Sequence, residues 1–236
     1  VQSLFLLAGV LAFRQISKMG VVAKIPRPSR SVLQGVLEGA KTIAGSPVMR
    51  IVVVQNVAMA CFFMGSFIVG FPLVVREVFD GSSGDLGLLN AFNSAGLVLT
   101  IVIMLRVGYV RRAGRALILF QALGSIVLVL VGMVNSFPTF VLLVFCWGLC
   151  GGVAMPMSRT LMQELAPQAQ RSRVMSFYAF SFMGAGPLGT LFCGYLSELF
   201  GPQVAIQIAG VLMFSVTAVI ALTSQLWRTD ATSAAN

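Results

Sequence analysis

The chain has 236 residues, of which 58% are hydrophobic and 10% charged, with a mean hydropathy of +0.94 and a formal net charge of +9. Soluble domains carry about 25% charged residues, so this composition excludes an ordinary water-soluble fold and points to a protein with several membrane spans. The absence of histidine removes the commonest general base and metal ligand. The cations sit between apolar segments rather than on one basic face, which argues against a nucleic-acid partner.

In chain order, residues 1–13 are apolar but short for a span. Arg14 and Lys18 follow this run, whereas a signal peptide carries its cations in front. The expectation is the end of a transmembrane span that starts before Val1, and hence a chain that is part of a longer protein. Residues 14–47 form a basic connector, with Arg14, Lys18, Lys24, Arg27, Arg30, Lys41 and, just beyond, Arg50. Pro26 and Pro28 restrict themselves and their predecessors, so the connector is not helical throughout. Ser31 and Gln34 have the spacing of a capping box. They open an amphipathic helix at about 31–44, with Val32, Leu33, Val36, Leu37 and Ile43 on its apolar side, expected to lie along the membrane surface. Ser46 and Pro47 supply an N-cap and a first-turn proline for the next helix.

Six spans are predicted, at residues 49–75, 84–105, 116–134, 139–162, 174–197 and 203–227, within a bundle at 48–228 followed by a tail at 229–236. Turn residues separate them at 80–84, 135–138 and 201–202. If the spans alternate in direction, fifteen of the sixteen basic residues fall on one face. The other face receives only Arg76, beside Glu77, Asp80, Asp85 and Glu198. The positive-inside rule makes the basic face cytoplasmic, with both ends of the bundle on that side. A wrong span count would scramble this separation.

No triad, metal cluster or phosphate-cradling loop is present, so no cofactor is expected and the chain does not read as an enzyme. Cys61, Cys146, Cys150 and Cys193 lie in apolar segments and read as packing residues. The glycines at 148, 151 and 152 read as sites of close helix packing.

Polar residues inside the spans are the functional candidates. Arg159, about one turn from Gln163 and Glu164, has two readings: an ionisable group with a role in function, or an arginine reaching back to the headgroups. Gln55 and Asn56 in the first span and Asn90 and Asn93 in the second either line a polar cavity or bond across helices. The fifth span carries small residues around a proline, Gly184, Gly186, Pro187 and Gly189, suited to a bent helix packed closely on another. Apart from Glu164, near a boundary, no carboxylate sits well inside a span. If transport is proton-coupled, the coupling acid is expected outside this chain.

Three sequence markers carry a resemblance. The loop from Arg106 through Arg111, Arg112, Gly114 and Arg115 resembles the Gly-x-x-x-Asp-Arg-x-Gly-Arg loop of the major facilitator superfamily. Arg111 replaces the acid and Val107 the first glycine; Arg112, Gly114 and Arg115 match. Glu164-Leu-Ala-Pro167 followed by Arg171-Ser-Arg173, together with Gly186-Pro187, is similar to the drug-efflux type subgroup that includes the enterobactin exporter. Gly194, Glu198 and Gly201 form a reduced version of the loop motif.

The resemblance implies an all-α membrane protein: the end of span six, the central loop and the six-span C-terminal bundle of such a transporter. It implies alternating access and a multi-pass place in the cell membrane, the bacterial inner membrane. The implied partners are a small-molecule substrate, the lipid bilayer and an N-terminal six-span half. The first and fourth spans would line the cavity, adding Trp147 and Ser158 to Gln55 and Asn56. Arg112, Gly114, Arg115, Arg159, Glu164, Gly184, Gly186 and Pro187 would serve gating and bending. The expected function is proton-coupled efflux of a small amphipathic molecule. The alternatives are a non-transporting scaffold or sensor, and a membrane-embedded enzyme such as an acyltransferase, against which the missing histidine weighs.

Overall fold

The computed structural model describes residues 32–108 and 112–224, with the side chains of 32–35 and of Val107 excepted. The expected truncated span at 1–13, the proline-containing connector, the Ser31–Gln34 cap, Arg111 and the tail lie outside these described residues or side chains. The architecture below belongs to the unit Leu33–Asn236.

Seven helices account for nearly all of it. They are α1 (Val32–Gly45), α2 (Pro47–Val78), α3 (Ser83–Val107), α4 (Ala113–Val131), α5 (Phe137–Leu165), α6 (Arg171–Phe200) and α7 (Pro202–Thr223). No strand occurs among the described residues. Each helix from α2 to α7 is long and apolar enough to cross a membrane. Even the 19 residues of α4, at 1.5 Å each, come to about 28 Å against a hydrocarbon layer of about 30 Å. The chain is a multi-pass all-α membrane protein.

Local chemistry explains the helix starts. Ser46 caps α2, its hydroxyl accepting from the Met49 N–H, with Pro47 in the first turn. Ser82 and Asp85 form a capping box at α3. Gly201 ends α6 at a φ of 86°, a region open to glycine, and Pro202 then opens α7.

Helix α2 departs from regular geometry. It is α-helical to Met59 and then π-helical over Ala60–Met64, Ser66–Gly70 and Val74–Val78. The Phe71 and Phe79 N–H groups bond the carbonyls five residues back, of Ser66 and Val74. Pro72 brings no N–H to the ladder, and the Ser66 hydroxyl donates to the Phe62 carbonyl at 2.7 Å. Both loosen the α pattern. Such π turns are rare and concentrate at functional sites.

The packing has an internal symmetry. Helix α2 packs on α6, α3 on α5, and α4 on α7, with α4 also against α5 and α6 against α7. Taking α2–α4 and α5–α7 as two triplets, the first helix of each crosses the second of the other, and the third meets the third. An inverted repeat produces this arrangement. Glycines seal the first two crossings. A Cβ on Gly65 would strike the Gly189 carbonyl, and one on Gly189 would strike the Cys61 backbone. Gly96 likewise abuts the Phe145 carbonyl, and Gly148 the Asn93 carbonyl. Without a hydrophobic drive between helices in lipid, such close backbone approach supplies the packing energy.

Two core clusters fill the bundle. One, at the arginine-rich end, includes Met49, Leu117, Leu161, Val174 and Ile220. The other includes Met59, Phe71, Leu128, Phe140 and Met213. Helix α1 docks on the first. Its Glu38 pairs with Arg173, its Gly39 lies against the Arg173 carbonyl, and Thr42 donates to Gln170. The expected apolar side of α1 therefore divides: Ile43 is 4% exposed in the core, while Leu37 is 65% exposed. Gly39, having no side chain, lets protein rather than lipid cover that face.

Candidate functional site: a two-part cavity

The helices line two neighbouring half-open cavities. The first, about 240 Å³, is walled by Met59, Phe63 and Phe67 of α2, Asn93 of α3, Trp147 of α5 and Phe182 of α6. The second, about 520 Å³, is walled by Asn56, Arg159, Tyr178 and Met183 among others. Met155 and Phe182 line both, so they stand at the junction between the two.

Aromatic packing shapes the first. Trp147 meets Phe63 and Phe71 edge-on at 5.4 Å each and stacks on Phe67 at 6.0 Å. Phe63, Phe67 and Phe71 recur every four residues and so present one face of α2 to α5. The Trp147 indole N–H is buried and has no hydrogen-bond partner. Asn93, 5% exposed, donates to the Val144 carbonyl at 3.5 Å.

A hydrogen-bonded chain organises the second cavity. Asn56 donates from Nδ2 to the Tyr178 carbonyl and to the Ser181 hydroxyl, each at 3.1 Å. The Tyr178 hydroxyl donates to Ser158 at 2.9 Å. Among the described residues Arg159, which is exposed, is the one charged side chain lining either cavity. The pair of cavities thus has an aromatic end and a cationic, hydrogen-bonding end.

The candidate residues distribute as follows. Asn56, Asn93, Trp147 and Arg159 line the cavities. Ser158, 3% exposed, stands behind Tyr178 and accepts its hydroxyl. Gln55, 1% exposed, turns instead to α4, donating to Gln121 Oε1 at 2.8 Å. Gln55 Oε1 and Gln121 Nε2 have no partner. Asn90 is exposed and bonds the Leu86 carbonyl of its own helix. At the arginine-rich end, Arg112 caps α4, Gly114 is buried, and Arg115 and Glu164 are half-buried. On α6, a Cβ at Gly184 would meet nothing within 4 Å, and one at Gly186 only the Met64 sulfur at 3.3 Å. Pro187 is exposed, and α6 runs through it unbroken.

Sequence reasoning missed Tyr178, Phe182, Met155 and the Gly65–Gly189 contact. The four-residue spacing of Phe63, Phe67 and Phe71, and of Ser181, Ala185 and Gly189, was the available signal.

Comparison with known proteins adds a family. Multidrug efflux pump Tap of Mycolicibacterium fortuitum is 25% identical over 174 residues, which cover 73% of this chain and 42% of that protein. The chain therefore spans about two fifths of the length of the curated relative it matches. No solved structure matches. The profile of the Major Facilitator Superfamily matches residues 3–190 and, in a second overlapping register, 56–235. The two registers together cover nearly every residue of the six crossing helices, and on that match the chain belongs to the Major Facilitator Superfamily.

Proposed function

We propose that this chain is half of a secondary transporter that exports a small amphipathic molecule by alternating access, driven by the proton gradient. The observation that carries the reading is the two-part cavity between the two triplets, aromatic at one end and polar at the other. Concave, mostly apolar sites with a few placed polar groups are where small ligands bind, and transporters built on inverted repeats hold substrate at the interface between repeats. The likeness to a multidrug efflux pump supports export.

An N-terminal six-span half closes the cavity in this reading. The arginine-rich end of the bundle faces the cytoplasm of a bacterial inner membrane. A proton relay needs a buried acid, and among the described residues no carboxylate lines either cavity; in this reading the coupling acid belongs to the partner half. Arg112, Gly114, Arg115 and Glu164 hold the cytoplasmic gate; Gly184, Gly186 and Pro187 face the partner half.

The test uses the full-length protein in everted membrane vesicles loaded with lipophilic dyes of either charge. Dye movement that a protonophore abolishes is the expected result. Movement of no dye by well-folded protein would sink the reading in favour of a scaffold.

A further inference from the structure

Resting on the transport reading, we infer that Asn56 and Asn93 select the substrate, and that its class is an aromatic molecule carrying hydroxyl or N–H donors. The two amides carry the argument. Asn56 lines the larger cavity and Asn93 the smaller, and both are buried, at 3% and 5% exposed. Each turns one arm of its amide to a backbone carbonyl on the neighbouring helix, Asn56 to Tyr178 and Asn93 to Val144. A carbonyl only accepts, so that arm is the NH2 and the other arm is the oxygen.

Neither oxygen is engaged. Among the described residues the hydrogen bonds of both side chains all leave from the nitrogen, and no donor reaches Asn56 Oδ1 or Asn93 Oδ1. Nor are these oxygens sealed away: the buried atoms without partners are others, such as Gln55 Oε1 and the Trp147 indole nitrogen. Each cavity thus has an open acceptor on its wall.

The surrounding groups define what fits. Phe63, Phe67 and Trp147 give the smaller cavity an aromatic wall suited to a flat ring. In the larger one Tyr178 commits its proton to Ser158, and Arg159 can only donate. A guest that displaces water from these walls without supplying a donor leaves the amide oxygens unpaired and loses affinity. Met155 and Phe182 belong to both cavities, so one guest with donors at two places on its body can serve both oxygens.

The experiment uses purified full-length protein with rhodamine 123 and tetramethylrhodamine methyl ester. These dyes share a xanthene ring, an ester and a single positive charge; the first carries N–H donors where the second carries methyl groups. Fluorescence anisotropy gives the Kd of each, and uptake into proteoliposomes reports transport. Rhodamine 123 is expected to bind about fivefold more tightly, or better. Asn93→Leu and Asn56→Leu should each shrink that ratio by weakening rhodamine 123 alone, and the double variant should bring it close to one. Should the double variant fail to fold, Asn93→Leu alone decides. Equal Kd for the two dyes, a parallel loss for both in the variants, or binding of neither by folded protein overturns the assignment; the dye-loaded vesicles described above still decide the transporter reading. A ratio that depends on the asparagines without transport of either dye supports the site and removes the transporter reading.

Discussion

The α2·α6 and α3·α5 crossings occupy equivalent places in the two triplets, and each combines glycine with an asparagine. In α3·α5, Gly96, Gly148 and Gly152 bring the helices into backbone contact, while Asn93 donates to the Val144 carbonyl at 3.5 Å and Thr100 to the Leu149 carbonyl at 3.1 Å. In α2·α6, contact follows Ser181, Ala185 and Gly189, and Asn56 makes two bonds of 3.1 Å across it. Here α2 is π-wound on both sides of Gly65. Both crossings thus pair backbone contact with side-chain hydrogen bonds, and they differ in how the asparagine is used. Asn93 makes one long bond inside a packed seam, whereas Asn56 makes two shorter ones, from the regular part of α2, and borders the polar cavity.

Four perturbations would break or sharpen this contrast. The largest effect is expected from Gly189→Val and Gly148→Val, since each new Cβ meets main chain rather than a flexible side chain. Each should destabilise by about 3 kcal/mol, the upper end of overpacking, seen as a large drop in the thermal unfolding midpoint of purified protein. Equal tolerance of valine and alanine at Gly189 would show that the helices are not in contact there.

Next comes a pair outside both crossings, which serves as a control. Gln55→Leu leaves Gln121 buried without a partner, a cost of about 1–3 kcal/mol, whereas the double replacement with Gln121→Leu should be close to neutral. A double-mutant cycle in thermal unfolding measures this, and additive losses would contradict the pairing.

Third, Asn56→Leu should cost about 1.7 kcal/mol, the largest value found for interhelical bonds in membranes, and Asn93→Leu no more than the average of about 0.6 kcal/mol. Unfolding titrations compare the two directly; the reverse ranking removes the contrast drawn above. The smallest effect is a gain. Gly184→Ala meets open space inside a helix, and relief of glycine's backbone entropy should add about 0.5–1 kcal/mol. A lowered midpoint at that site would mean that something already fills the space.

The spans were legible because a membrane imposes a length and a charge asymmetry that single windows of sequence reveal. Expected and observed ends differ by a few residues, as for 116–134 against Ala113–Val131. The π winding of α2 was not legible, because Gly65, Gly70 and Pro72 are all compatible with a kinked α-helix. In the cavity, a stripe of amides can be assigned to one helix face, but which neighbour covers that face depends on the crossing. Hence Gln55 meets Gln121 in the interior, adjacent Asn56 lines the cavity, and Asn90 turns outward. On α6 the conspicuous Gly-Ala-Gly-Pro run drew attention from the quieter Ser181, Ala185 and Gly189 spacing that makes the contact.

Docking of α1 sets the tether length. Fourteen residues held as a helix about 21 Å long against the start of α6 would, if extended, gain about 25–30 Å of reach. Fixing them removes that slack from any connector that precedes the bundle. A shorter leash raises the effective concentration of whatever it holds, so releasing Glu38 from Arg173 would loosen the coupling across the connector without touching the cavity.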